Sequence, residues 1–258
     1  MKQKLIHFVR SNRAVIFWRK IIHTYLTPKF LWKLVIRNYN LPLQRQNHRY
    51  FKLQLWLKQF FWFWPTLQDS FFWRDVAMGE VMGPQDYVEI ASHSKILVDE
   101  LLDKCDDENR SFLDLGCNRG RFLSILLKAG MKNIEGVDVC ASAIDAFRED
   151  NVEFCLNQSL HVKTIQEFLL DKPSFSVDIV YTHGATVELI PSSFPLVREI
   201  CRVTRESVIL YISESDYLYP RFWEYEFSRF NFKMTKLVRP SPKSSSNFSL
   251  FIFERRCS

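Results

Sequence analysis

Between Phe112 and Phe122 the chain reads Phe-Leu-Asp-Leu-Gly-Cys-Asn-Arg-Gly-Arg-Phe. A short apolar run ends in Asp114, Gly116 follows two residues later, and Gly120 opens an apolar stretch with helical spacing. That order predicts a strand, a tight glycine turn and a helix start. Such a turn lets a ligand sit against bare backbone, with the helix amides pointing at it. Eighteen residues beyond Gly120, at the end of a second apolar run, stands Asp138. An acid at that spacing can accept hydrogen bonds from the two hydroxyls of a ribose.

The turn is not the one a dinucleotide requires. Cradling a pyrophosphate takes G-x-G-x-x-G, and neither position 118 nor position 121 is glycine. Asp114 would repel a pyrophosphate and attract an ammonium. A ligand with an amino-acid head and an adenosine tail satisfies both ends, and S-adenosylmethionine is such a molecule. The segment Asp114-Leu-Gly116-Cys-Asn118-Arg-Gly120 resembles the first motif of the class I S-adenosylmethionine-dependent methyltransferases, acid-x-Gly-x-Gly-x-Gly, with Asn118 at the middle glycine.

Downstream, strand-like and helix-like segments alternate, as a parallel sheet requires. The expected strands after the first are Asn133–Val139, Leu160–Thr164, Val177–Thr182, Ser207–Ser213, Phe232–Val238 and Phe248–Glu254. Helices are expected over Ala91–Leu102, over Gly120–Ala129 with Gly130 at its C-terminal end, after an N-capping Ser142, over Pro195–Val203 and over Tyr219–Phe230. The last two strands, joined by a proline- and serine-rich turn, suit a hairpin. The expected fold is α/β: a Rossmann-like, doubly wound, seven-stranded, mostly parallel sheet with the last strand antiparallel. A basic, aromatic helical region precedes it.

The resemblance implies roles residue by residue. Asp114 would face the methionine ammonium. Gly116, Asn118 and Gly120 would line the methionine and ribose, Asp138 would bind the ribose hydroxyls, and Val139 would pack on adenine. The family usually ends its third strand in an acid that holds the adenine amino group. Here that place falls at Thr164-Ile165, a departure that puts a threonine hydroxyl where the carboxylate would be. His183 would lie beside the reactive methyl. It is the first candidate for a general base, because its ordinary pKa lies near working pH; a histidine that only contacts the cofactor is the equal alternative. Glu188 is the second catalytic candidate, against a solvated loop acid. Glu214 and Asp216 are weaker ones, and Arg121 could pair with the methionine carboxylate.

Several chemistries are disfavoured. Many methyltransferases acting on base or amide nitrogens carry Asn/Asp-Pro-Pro-Tyr after the fourth strand, whereas this chain has Tyr-Thr-His-Gly. Neither the histidines nor the six scattered cysteines show zinc-ligand spacing, and no metal is expected. Without a secretion signal in view, the cysteine usage suggests a reducing, cytoplasmic setting.

Residues 1–68 contain thirteen Lys or Arg and no Asp or Glu. The whole chain is +6 and these residues are +13, so the remainder is −7. Six of the seven tryptophans lie between Trp18 and Trp73. No run reaches the about 20 apolar residues of a spanning helix. Four readings are open for this arm: a surface for anionic membranes, a nucleic-acid grip, a mitochondrial transit segment, or a helical cap over the catalytic domain. Nucleic acid is the less favoured partner, because the catalytic half is acidic. The expected organisation is an N-terminal region with its linker over 1–84 and a catalytic domain over 85–258. The expected activity is methyl transfer to a small-molecule, saccharide or lipid-linked acceptor, at oxygen. An RNA methyltransferase and a cofactor-binding protein without activity are the rivals.

Overall fold

The computed structural model describes residues 90–152, 159–184, 187–190, 194–213, 221, 223–240 and 248–256. All belong to the second of two compact units, Leu67–Ser258. The arm, the linker expected at Asp69–Gln85, and Glu214 and Asp216 lie outside the described residues.

Seven strands form one sheet: β1 (Ser111–Leu115), β2 (Asn133–Asp138), β3 (Leu160–Val162), β4 (Val177–His183), β5 (Thr204–Ser213), β6 (Phe232–Val238) and β7 (Phe248–Arg255). Their order is β3-β2-β1-β4-β5-β7-β6. The first five run parallel. β7 is antiparallel to both β5 and β6, so it alone is reversed. This is the expected sheet.

The helices are α1 (Lys95–Asp103), α2 (Arg121–Lys128), α3 (Ala141–Asp150), α4 (Ile165–Asp171), α5 (Leu196–Val203) and α6 (Trp223–Ser228). They form two layers because strand residues alternate between faces. Phe112, Ile179, Tyr181, Ile209, Tyr211, Leu250 and Ile252 pack under α1, α2 and α3. Leu113, Leu115, Val180, Val208, Leu210, Ile212, Phe251 and Phe253 pack under α4, α5 and α6. Each large apolar side chain buried this way contributes about 1.5–3 kcal/mol. Among the described residues no helix is long and apolar enough to cross a membrane.

Element ends depart from the sequence expectations for local reasons. β3 stops at Val162, because Thr164 is the N-cap of α4: its hydroxyl accepts the Glu167 amide, and the Glu167 carboxylate accepts the Thr164 amide, a reciprocal capping box. β5 begins earlier, at Thr204, directly after α5. Ser142 is inside α3 rather than capping it; Cys140 holds the N-cap position, and its amide goes to Asp138 Oδ1 at 2.9 Å. The segment expected as one helix from Ala91 divides into a 3₁₀ turn, Ser92–Ser94, and α1. α2 ends in a Schellman motif: the Gly130 amide donates to Leu127 O at 2.9 Å and the Met131 amide to Leu126 O at 3.0 Å, with Gly130 at φ +85°.

In this strand order the chain reverses direction across the sheet between β1 and β4. Open α/β sheets bind their ligands outside the carboxyl ends of the strands at that point.

Candidate active site

The turn after β1 sits at that crevice. Gly116, Asn118 and Gly120 all have positive φ, +83°, +46° and +66°. Asparagine tolerates the left-handed region better than most side chains, which is why it can stand where the motif has its middle glycine. The amides of Gly116 and Cys117 both donate to Val137 O, at 2.8 and 3.1 Å. The Asn118 amide donates to Asp138 Oδ2, the Arg119 amide to Asn118 Oδ1, and the Gly120 amide to Cys117 O, each at 2.8 Å. The turn is therefore clamped to β2 by the amides of Gly116, Cys117 and Asn118, which serve the protein. Gly120 also makes room for the protein: a Cβ there would stand 2.7 Å from the Phe147 ring.

Asp138 carries both ends of this clamp. Its two oxygens accept the Asn118 and Cys140 amides. A carboxylate has about four acceptor positions, so capacity remains for hydroxyl donors. Burial raises its pKa above the usual carboxylate value, although the amides of Cys140, Asn118 and Val139 pull the other way. Val139, next in the chain, is partly buried.

Asp114 is only 2% exposed. Burial pushes its carboxyl up to about 8; Tyr181 and the Arg121 guanidinium oppose that shift and Asp138 adds to it. A carboxyl so placed is stabilised in its ionised form by an incoming cation, and the ammonium of an amino acid is one.

His183 ends β4 and is partly buried, with its ring centroid 4.9 Å from Phe122, 5.5 Å from Tyr211 and 5.6 Å from Phe248. Arg121 Nη2 lies 2.9 Å from Nδ1, and Ser94 Oγ lies 2.9 Å from Nε2. A guanidinium only donates, so Nδ1 accepts and the ring proton sits on Nε2, facing Ser94. Burial, Arg121 and His93 bring the imidazole pKa down to about 3. This ring is held neutral with its lone pair engaged, which is the opposite of a base poised near neutrality. The Tyr211 hydroxyl donates to His93 O at 2.7 Å, tying the same 3₁₀ turn to β5.

Glu188 lies in the 3₁₀ turn Val187–Leu189 and is buried, not a solvated loop acid. The Thr164 hydroxyl is engaged with Glu167, donating to its carboxylate at 2.7 Å. Ile165 packs in the core with Val137 and Phe168. The structure thus gathers Asp114, Gly116, Asn118, Gly120, Asp138 and His183 at the crevice and gives Thr164 a capping role. Sequence reasoning passed over Ser94, Tyr181 and Tyr211. The Asp114–Tyr181 pairing was accessible from strand register; the Ser94–His183 contact spans 89 residues and has no local signature. Among the described residues no cluster of His, Cys, Asp or Glu could hold a metal ion.

A sequence profile described as a methyltransferase domain matches residues 106–243, more than half of the chain. The chain belongs to that family. Its seven-stranded sheet has a Rossmann-like arrangement. Its fold is similar to that of magnesium protoporphyrin IX methyltransferase from Synechocystis PCC 6803, solved with bound S-adenosylmethionine. The TM-score is 0.52 at 13% identity, over 69% of this chain and 86% of that one. It is also similar to TehB from Haemophilus influenzae, with TM-score 0.53 at 13% identity, over 67% and 65%. A curated relative, the ribosomal protein L11 methyltransferase of Shewanella baltica (strain OS185), is 33% identical over 81 residues, 30% of this chain and 28% of that protein. The residues of this methyltransferase domain suit the family's methyl donor: a buried carboxyl for its ammonium, and a second carboxylate with acceptor positions left for its ribose.

Proposed function

We propose that this methyltransferase-domain protein moves a methyl group from S-adenosylmethionine to an oxygen of a small-molecule, saccharide or lipid-linked acceptor. The observation that carries the donor half is the pair Asp114 and Asp138, set on adjacent strands on either side of the positive-φ turn. Support for the acceptor half comes from the end of β4, where Thr182-His183-Gly184 stands in place of Asn/Asp-Pro-Pro-Tyr.

The donor supplies a methyl group on a sulfonium, an in-line displacement in which alignment and exclusion of water do most of the catalysis. In this reading Asp114 takes the ammonium and Asp138 the ribose hydroxyls, with Val139 beside the adenine. His183 positions rather than abstracts, because its Nδ1 faces Arg121. Glu188 is then the candidate to receive the proton of an acceptor hydroxyl.

Residues 1–84 are proposed as the part that meets the acceptor or an anionic membrane surface, and 85–258 as the catalytic domain. The thirteen basic residues of 1–68, without one acid among them, support this. The same arm favours a second reading, an RNA acceptor. Vesicles containing anionic lipid should bind the full chain while neutral vesicles and RNA do not; RNA binding with a steep salt dependence would move the assignment to RNA.

The donor half is tested by calorimetry with S-adenosylhomocysteine, followed by transfer of a labelled methyl group to a panel of hydroxyl acceptors. Absence of binding to the folded wild-type chain would overturn the reading. Binding without transfer to any acceptor would favour a cofactor-binding protein without activity.

A further inference from the structure

Asp114 of β1 and Tyr181 of β4 are direct cross-strand partners, so their side chains leave the same face of the sheet. Both are buried, Asp114 at 2% exposure and Tyr181 at 0%. The Tyr181 hydroxyl has no partner at full hydrogen-bond geometry, yet it faces the Asp114 carboxyl closely enough to pull that carboxyl's pKa down. A buried hydroxyl without a partner is costly, about 1–3 kcal/mol, and calls for an explanation. The ionised form of Asp114 supplies one: a carboxylate is a stronger acceptor than a neutral carboxyl.

We propose that Tyr181 is a positioning residue of the donor site, whose hydroxyl donates to the Asp114 carboxylate and stabilises the ionised form that pairs with the ammonium of the donor's amino-acid moiety. The inference rests on the crevice being the S-adenosylmethionine site. Facing Asp114 are Tyr181 from β4, Asp138 from β2 and Arg121 from α2; the Cys117 thiol of the turn stands near both members of the pair, and Cys105, just past α1, faces Tyr181. Two of these groups, Tyr181 and Arg121, favour the charge on Asp114, while Asp138 opposes it.

The consequence is proton-coupled binding. With its carboxyl raised to about 8, Asp114 is mostly protonated at neutral pH, and pairing with an ammonium releases that proton. Affinity for S-adenosylhomocysteine, which carries the same ammonium, therefore rises with pH toward about 8 and then levels off. Removing the Tyr181 hydroxyl takes away a group that lowers the Asp114 pKa, so the plateau moves to higher pH.

The test is calorimetry of S-adenosylhomocysteine binding between pH 6 and pH 9, in buffers of different ionisation enthalpy so that released protons are counted. The variants are Tyr181→Phe, Asp114→Asn and the double variant. Tyr181→Phe removes an oxygen that has no partner at full hydrogen-bond geometry, so it should fold with an unchanged or higher melting temperature. Its affinity at pH 7 should fall about tenfold, with the plateau shifted upward. In the Asp114→Asn background the same substitution should change neither affinity nor proton count. A Tyr181→Phe profile that overlays the wild type, or an equal loss in both backgrounds, overturns the inference while leaving the donor site standing. A folded wild type that does not bind the ligand overturns the site reading, and the inference with it.

Discussion

Asp138 reaches back from the end of β2 to the backbone amide of Asn118, 2.8 Å away, so the acid proposed for the ribose is also the post that holds the glycine turn. The second oxygen takes the Cys140 amide at the start of α3. One carboxylate thus fixes two consecutive turns of the sheet edge. Asp138→Ala should lose donor affinity and stability together, the latter by about 1–3 kcal/mol for two buried amides left without an acceptor. Thermal unfolding and S-adenosylhomocysteine calorimetry on the same protein check this. Lost affinity with an unchanged melting temperature would show that the turn does not depend on the acid.

Asn118 offers a cleaner probe of the turn, because its backbone conformation and its side chain can be separated. At φ +46° it is in the left-handed region, and its Oδ1 accepts the Arg119 amide. Asn118→Gly relieves the backbone and removes one part-buried hydrogen bond, so stability should stay within about 1 kcal/mol and binding should persist. Asn118→Val places a β-branched residue where it is disfavoured by about 1–2 kcal/mol, and should weaken binding by distorting the turn. Equal behaviour of the two variants would show that the conformation at 118 does not matter to the site.

The parts of the fold that sequence revealed are those with short periods. Alternation along β4, β5 and β7 exposed the two-faced sheet, and the acid and glycine spacing from Asp114 to Asp138 located the crevice. What escaped was set by contacts between distant segments. Nothing near His183 announces Ser94 or Arg121, and these two neighbours turn a plausible base into a ring held neutral. Burial of Glu188 depends on how the segment after β4 folds back, and a short polar interruption reads as solvated until that is known. Thr164 is different, because the signal was present. Thr164-Ile-Gln-Glu167 is a capping-box sequence, and reading it as a helix start would have ended β3 two residues earlier.

The neutral state of His183 has a signature in stability against pH. Its folded pKa, about 3, lies below the ordinary value of 6.5, so the unfolded chain binds a proton that the folded chain does not as pH falls through that window. The contribution is fully present above about pH 6.5 and declines toward pH 3. Asp114 acts in the opposite sense: its raised pKa opposes folding increasingly between its ordinary value of 3.8 and about 8. His183→Gln should therefore lose less melting temperature than the wild type on going from pH 7 to pH 5. If both proteins lose the same amount, His183 titrates as it would in water.

Gly120 and Gly130 bracket α2 with similar backbone angles, φ +66° and +85°, yet differ in their surroundings. A Cβ at Gly120 would meet the Phe147 ring at 2.7 Å, whereas one at Gly130 would have nothing within 4 Å. Gly130→Ala should carry only the conformational cost, about 1–2 kcal/mol. Gly120→Ala should add the cost of overpacking against a side chain that is 1% exposed, about 1–3 kcal/mol more. Phe147→Leu introduced beside Gly120→Ala should recover part of the difference, because it removes the ring but not the unfavourable angle. Denaturant unfolding of the four proteins separates the two terms, and equal losses at both glycines would mean that Phe147 moves aside without cost.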